Sequence, residues 1–270
     1  MDKFAQKLEI WRLLLCFFIT MPSALALERG GLASVTNFAN QYFLQASSPD
    51  RMLLSADPAG SNAQVYKLTL FDSDLKSNSG YRTEIGLKNE YVKEGGRWYA
   101  FGFYIAKPWD TSDVPIVMAQ LHTSQKTLKL SPPLSIVARG DSLYLTLYGS
   151  HKSVDADEPP SINNAAKRLV YLGPVVTQQW LCFVISMDWS HTPGQGGTRV
   201  WMNKRLVYQS ENDLNSFDTW LGNYLKVGLY APWKLGASFR QVYVDALWAS
   251  DATADFDSMY RKTICGTSGK

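Results

Sequence analysis

The chain has 270 residues and a formal net charge of +3, too small a Lys/Arg excess for a nucleic-acid-binding stripe and without the charge block of a solvated tail. No segment repeats and no interdomain linker interrupts it, so one large domain is expected rather than an array. Its 9 Trp and 14 Tyr are more informative, because aromatic rings fill β cores and also stack on the C–H faces of sugars.

Lys3, Lys7 and Arg12 precede an apolar run from Leu13 to Met21, followed by Pro22-Ser23-Ala24-Leu25-Ala26. That is the layout of a secretory signal peptide, and the run is short for a membrane span, which needs roughly 20 apolar residues. Residues 1–26 are therefore expected to be a signal peptide cleaved after Ala26, and 27–270 the functional domain, exported to the periplasm or medium and free of the membrane once cleaved. A retained anchor is the alternative, since Asp2 and Glu9 make the leading segment less positive than usual. Cys16 leaves with the signal. Cys182 and Cys265 remain, and an oxidising compartment permits a bridge between them, two separate thiols being the alternative.

Beyond the leader, short β-branched and aromatic runs alternate with Gly, Pro, Asn and Asp clusters, the texture of an all-β sandwich. Strands are predicted at 65–71, 81–87, 97–105, 116–122, 134–137, 142–148, 180–187, 198–202, 205–208, 224–230 and 239–248. Gly140-Asp141 and Asn203-Lys204 sit where hairpin turns belong. The polar stretch from His151 to Ala166, with Pro159-Pro160, is predicted as a long surface loop.

Three of these strands alternate polar and apolar residues, as a sheet with one buried and one functional face requires. In Tyr81-Arg82-Thr83-Glu84-Ile85, Arg82 and Glu84 point together. In Met118-Ala119-Gln120-Leu121-His122, Gln120 and His122 share a face. In Tyr224-Leu225-Lys226-Val227-Gly228-Leu229-Tyr230, the aliphatic residues suit a core, while Tyr224, Lys226 and Tyr230 line the other side and Gly228 leaves room between them. Singly, each pair could decorate a solvated strand. Together they supply a guanidinium, an amide, an imidazole, an ammonium and a phenol.

Arg-Thr-Glu-Ile, Gln-Leu-His and Tyr-Leu-Lys-Val-Gly-Leu-Tyr, in this order, resemble the three signature segments of the jelly-roll polysaccharide lyases. Trp98–Tyr104, Ser131-Pro132-Pro133-Leu134-Ser135 and Trp201-Met202-Asn203 resemble the glucuronan- and heparin-lyase-like branch in particular. The resemblance implies a β-jelly roll, a concanavalin-like sandwich of two antiparallel sheets, that cleaves a uronate polymer by β-elimination. It implies catalytic roles for His122, Tyr230, Gln120 and Arg82, and substrate binding by Lys226, Glu84, Tyr224, Trp201 and Asn203. Glucuronan is the expected substrate class, with alginate or a glycosaminoglycan as alternatives. Gly86 departs from the alginate enzymes, which carry a second arginine near that position.

The mechanism implied is physically coherent. Arg82 and Gln120 would stabilise the charge developing on the uronate carboxylate, His122 would take the C5 proton, and Tyr230 would protonate the departing O4. In some relatives the tyrosine does both jobs, which leaves the base open between His122 and Tyr230. Lys226 would lower the phenol's pKa or hold a carboxylate, and Glu84 would orient Arg82. A jelly-roll glycosidase would need two carboxyl groups flanking the bond, and no strand alternates Glu and Asp that way. A lectin-like binding protein is the rival of a different class. His122, His151 and His191 lack zinc-ligand spacing, so no cofactor is expected beyond a structural calcium. The expected partner is an anionic polysaccharide, with no nucleic acid, and the protein is expected to be a monomer.

Overall fold

The computed structural model describes residues 40–110, 112–123 and 130–267. The expected signal peptide over 1–26 lies outside them. No helix among the described residues is long and apolar enough to cross a membrane.

Two sheets face each other across one apolar core. The first runs β1 (Tyr42–Ala46), β4 (Tyr81–Leu87), β14 (Asn223–Ala231), β6 (Ile116–Thr123), β7 (Leu134–Arg139), β8 (Ser142–Ser153), with β9 (Ala166–Pro174) and the short β13 (Phe217–Asp218) also paired to β8. The second runs β12 (Arg205–Asp213), β11 (Gly196–Met202), β10 (Trp180–Trp189), β5 (Gly95–Ile105), β15 (Phe239–Asp251), β3 (Gln64–Phe71), β2 (Met52–Ala56). All pairings are antiparallel except β13 with β8. This is the two-sheet sandwich that the alternation predicts.

The core forms because every second residue of the central strands is apolar. Ile85, Leu225, Val227 and Leu229 from the first sheet, with Phe101, Phe103, Phe183 and Ile185 from the second, are fully or almost fully buried. Phe183 stacks on Phe101 and Phe103 at ring-centroid distances of 5.6 and 5.4 Å. Each such side chain contributes about 1.5–3 kcal/mol of burial, and the alternation leaves the intervening residues of β4, β6 and β14 on the opposite face.

The outer face of the second sheet is covered by a C-terminal segment, α1 (Phe256–Tyr260) and α2 (Ile264–Thr267). Asp255 caps α1 by accepting from Ser258 N at 2.7 Å. Below it lie Trp98, Trp201 and Trp248. Cys182 and Cys265 are joined in a disulfide, and the buried Asp245 carboxylate accepts from Gly102 N and Ile264 N at 2.8 and 2.7 Å, fastening the same segment to the sheet.

All eleven predicted strands are present. Alternation missed β1, β2, β9 and β13, and β8 continues to Ser153, into the stretch read as loop, which is left with residues 154–165 between β8 and β9. Asn203 and Lys204 both have positive φ, 46° and 69°, as a tight hairpin requires.

Candidate active site

The ladders bring the three polar strands together at the middle of the first sheet, with β14 between β4 and β6. Tyr230 lies opposite Arg82, Lys226 opposite Gln120, and Tyr224 opposite His122. Residues opposite each other in antiparallel strands share a face, so the whole set projects from one side. A bulge between Val227 and Tyr230 on β14 interrupts the pairing with β6. Gly228 sits there with φ 147°, and a Cβ would run into the backbone of Thr83 and Glu84, so only glycine lets β14 approach β4 this closely.

Glu84 is the hub. Its carboxylate, 1% exposed, accepts from Arg82 Nη1 at 3.2 Å, from Lys226 Nζ at 3.1 Å and from Gln120 Nε2. Two cations and an amide therefore converge on one buried anion. Glu84 was expected to orient Arg82 as well as to bind substrate; its three donors fit the orienting role and extend it to Gln120 and Lys226. Burial depresses the Lys226 pKa, opposed by the Glu84 charge.

Tyr230 lies over Arg82, whose guanidinium carbon is 4.4 Å from the ring centroid. Arg82 Nη2 donates to Asn78 O at 2.9 Å, while its Nε has no hydrogen-bond partner among the described residues. Burial raises the Tyr230 pKa, with Arg82 opposing, so the phenol holds its proton at neutral pH. Gly80 lies against the Tyr230 ring, where any Cβ would collide.

At the other end His122 is partly buried and its pKa falls to about 4, chiefly from burial and then from the Lys226 charge. Its Nδ1 contacts the Thr123 carbonyl oxygen, which can only accept; Nδ1 thus carries the proton and Nε2 keeps its lone pair. Neutral at physiological pH, this imidazole can take a proton. The Tyr224 ring lies 5.6 Å from His122 and its pKa is pushed up to about 12 by burial.

Several further groups join the cluster with little signal in the strand alternation. Gln45 Oε1 accepts from Arg82 Nη1 at 3.3 Å and Lys226 Nζ at 3.2 Å. Phe43 and Tyr91 pack on Tyr224 at 6.0 and 5.1 Å. Phe43 also covers Gly86, filling the space that a side chain there would need. The one available signal was the Gln45 and Phe43 spacing of two, which places them on one face. Trp201 and Asn203 are not in this cluster. Trp201 projects from the outer face of the second sheet, stacked on Trp98 at 5.8 Å and against Phe256, and the Asn203 side chain accepts from Cys182 N at 2.8 Å. The expectation that they bind substrate at this site is corrected, since they belong to the opposite sheet, where they pack and brace a turn. Among the described residues no three His, Cys, Asp or Glu side chains gather as a metal-ligand group.

A family model described as "Polysaccharide lyase" matches residues 32–247. The chain belongs to the polysaccharide lyases. As a member of that family it is an enzyme, a polysaccharide lyase built on a jelly roll. No curated protein sequence matches it. Among solved structures, an endo-β-1,4-glucuronan lyase from the fungus Trichoderma reesei superposes with a TM-score of 0.68 at 17% identity, covering 84% of this chain and 96% of that one. Alginate lyase A1-II', of polysaccharide lyase family 7, superposes with a TM-score of 0.52 at 13% identity over 78% of this lyase and 95% of its own chain. The carbohydrate esterase vb_24B_21 of the Shiga toxin-encoding bacteriophage phi24B gives a TM-score of 0.51 at 12% identity over 83% and 97%. At these identities the likeness shows a shared fold, and one jelly roll hosts both elimination and ester hydrolysis, so the chemistry must come from the site.

Proposed function

We propose that this lyase cleaves a glucuronan-like uronate polymer by β-elimination outside the cytoplasm. The observation that carries the reading is the contact of Arg82 with Tyr230, which sets a carboxylate-binding cation against a protonated phenol. A uronate carboxylate drawn to Arg82 and Gln120 has its charge offset, which stabilises the negative charge that builds up as C5 loses its proton. His122 Nε2 takes that proton, the C5–H electron pair forms the C4–C5 double bond, the C4–O4 bond breaks, and Tyr230 delivers its proton to O4. Lys226, directly opposite Gln120, supplies further positive charge. The Phe43 ring over Gly86, where alginate enzymes carry an arginine, supports glucuronan over alginate.

Extracellular action is supported by the Leu13–Met21 run with its Ala24-Leu25-Ala26 site, and by the Cys182–Cys265 disulfide, a bond that persists in oxidising compartments. The deciding experiment incubates the purified protein with glucuronan, alginate, heparin and hyaluronan while following the ultraviolet absorbance of the unsaturated product. Absorbance should rise fastest with glucuronan, and Tyr230→Phe should lower the rate by about 10²–10⁴ without loss of fold. A protein that binds one of these polymers and cleaves none would be a lectin-like relative instead.

A further inference from the structure

The sheet face that carries the site continues past β6. Register runs Tyr230–Val117–Val137–Tyr144–Tyr171 across β14, β6, β7, β8 and β9, and in parallel Lys226–Gln120–Ser135–Thr146–Leu169. On β8 the intervening Leu143, Leu145 and Leu147 enter the core, so Tyr144, Thr146 and Tyr148 face the same side as Gln120. On β9, Leu169 and Tyr171 are 61% and 60% exposed, an unusual display of apolar surface on an edge strand. The Tyr144 and Tyr171 rings meet edge to face at 5.7 Å, and Lys167 Nζ stands 5.6 Å from the Tyr148 ring. No carboxylate pairs with Lys167 among the described residues, whereas its neighbour Arg168 turns away to Asp213 on the second sheet.

We propose that Tyr144, Tyr171 and Leu169, with Lys167 beside them, form a distal sugar-binding platform on which the uronate chain rests several residues from the bond being cut, so that long chains bind more tightly than short ones. The inference rests on the elimination reading of the site. Strands lie about 4.8 Å apart, so three spacings put Tyr144 about 14 Å from the strand of Tyr230. A 1,4-linked pyranose chain advances by about one strand spacing per ring, so a chain crossing the strands meets the platform a few rings from the cleavage point. Flat aromatic faces fit the sugar C–H faces and the Lys167 ammonium fits a carboxylate. That combination selects an anionic glycan over a neutral one.

The test uses the full protein and glucuronan oligosaccharides of graded length, with Tyr171→Ala and Tyr144→Ala; both side chains lie outside the core, and circular dichroism checks the fold. KM should rise by about 3- to 10-fold per ring removed on long chains, with the loss carried by KM rather than kcat and shrinking as the oligosaccharide shortens. Tyr171→Phe should restore the parent KM. Equal losses at every length, or none, would overturn the platform. Calorimetric binding of the uncleaved polymer separates this from failure of the elimination reading. A parent that binds but does not cleave, and loses about 3- to 10-fold in affinity on Tyr171→Ala, retains the platform and discards the lyase chemistry. A parent that cleaves while Tyr171→Ala changes neither KM nor affinity retains the chemistry and discards the platform; a parent that does neither discards both.

Discussion

Lys226 Nζ donates to Glu84 Oε2 at 3.1 Å with both side chains 1% exposed, and the same oxygen receives Arg82 Nη1 at 3.2 Å. One carboxylate thus holds two buried cations and offsets one of their two charges. Replacing it by an amide leaves both uncompensated, and removing one partner of a buried pair costs about 3–5 kcal/mol. Glu84→Gln is expected to lower stability by that order in urea denaturation and to abolish turnover, although no substrate atom need touch residue 84. Near-parent stability would contradict the hub.

The depressed His122 pKa has two consequences of known sign. Its folded pKa, about 4, lies below the unfolded value of about 6.5. The unfolded chain therefore binds the proton first, and this contribution to stability is present above pH 6.5 and is lost as pH falls towards 4. It amounts to at most about 3 kcal/mol. In catalysis the base stays deprotonated through mildly acidic solution. The acid limb of kcat/KM is accordingly expected between about pH 4 and 5, not near 6.5, and His122→Gln should flatten the acid loss of stability. A limb centred at 6.5 would contradict the burial that lowers this imidazole.

Gly80 offers a way to move the phenol without changing its chemistry. A Cβ at this position would collide with the Tyr230 ring, which must shift because Gly80 belongs to the backbone beside β4. Gly80→Ala is expected to lower kcat by about 10-fold or more while costing only about 1 kcal/mol of stability, since a misplaced proton donor loses its alignment and the ring can give way. A matching pair of measurements, turnover and thermal denaturation, checks the split. Equal and small effects on both would mean that the ring position is not critical.

The Cys182–Cys265 bond closes a sequence separation of 83 residues, and a loop of that length corresponds to about 4–5 kcal/mol of lost unfolded-state freedom. It fastens the C-terminal helices to the second sheet, whose other face is the core. The double serine variant is expected to lose about 2–5 kcal/mol of stability and to keep its turnover at temperatures where it is folded. Loss of turnover from folded protein would show that the two sheets are coupled more tightly than their packing indicates.

The site strands were legible because one face of each is core: Ile85, Leu121, Leu225, Val227 and Leu229 fix the parity, and Arg82, Gln120, His122, Lys226 and Tyr230 follow from it. Trp201 and Asn203 enter the expected site through the resemblance of their segment alone, and neither that resemblance nor strand parity says which sheet a strand joins; theirs is the other one. β2 and β9 escaped notice because edge strands bury little and lose their alternation; β9 has one fully buried residue, Leu172. β1 escaped for a related reason, with only Tyr42 buried. The bulge at Gly228 was legible as a glycine but not as the close approach of two backbones that requires one.

Gln45 is a site residue that sequence alone does not supply, since its partners Arg82 and Lys226 lie 37 and 181 residues away. Its amide oxygen shares Arg82 Nη1 and Lys226 Nζ with Glu84 and carries no charge. Gln45→Ala should remove one acceptor from each, leaving Lys226 to Glu84 and Arg82 to Glu84 and the Asn78 carbonyl; a lost hydrogen bond to a charged group corresponds to about 1.5–3 kcal/mol. Because Arg82 and Lys226 would keep their charge but lose their fixed direction, kcat should fall by more than stability suggests, about 10-fold or more. Gln45→Glu should behave differently. A second carboxylate beside Glu84 binds the two cations harder and competes with the uronate, so KM should rise and the acid limb should move as residue 45 titrates. Steady-state kinetics of both variants between pH 4 and 8 separates the cases: a fall in kcat for the alanine with a rise in KM for the glutamate supports a positioning role, and parent-like kinetics in both would remove Gln45 from the site.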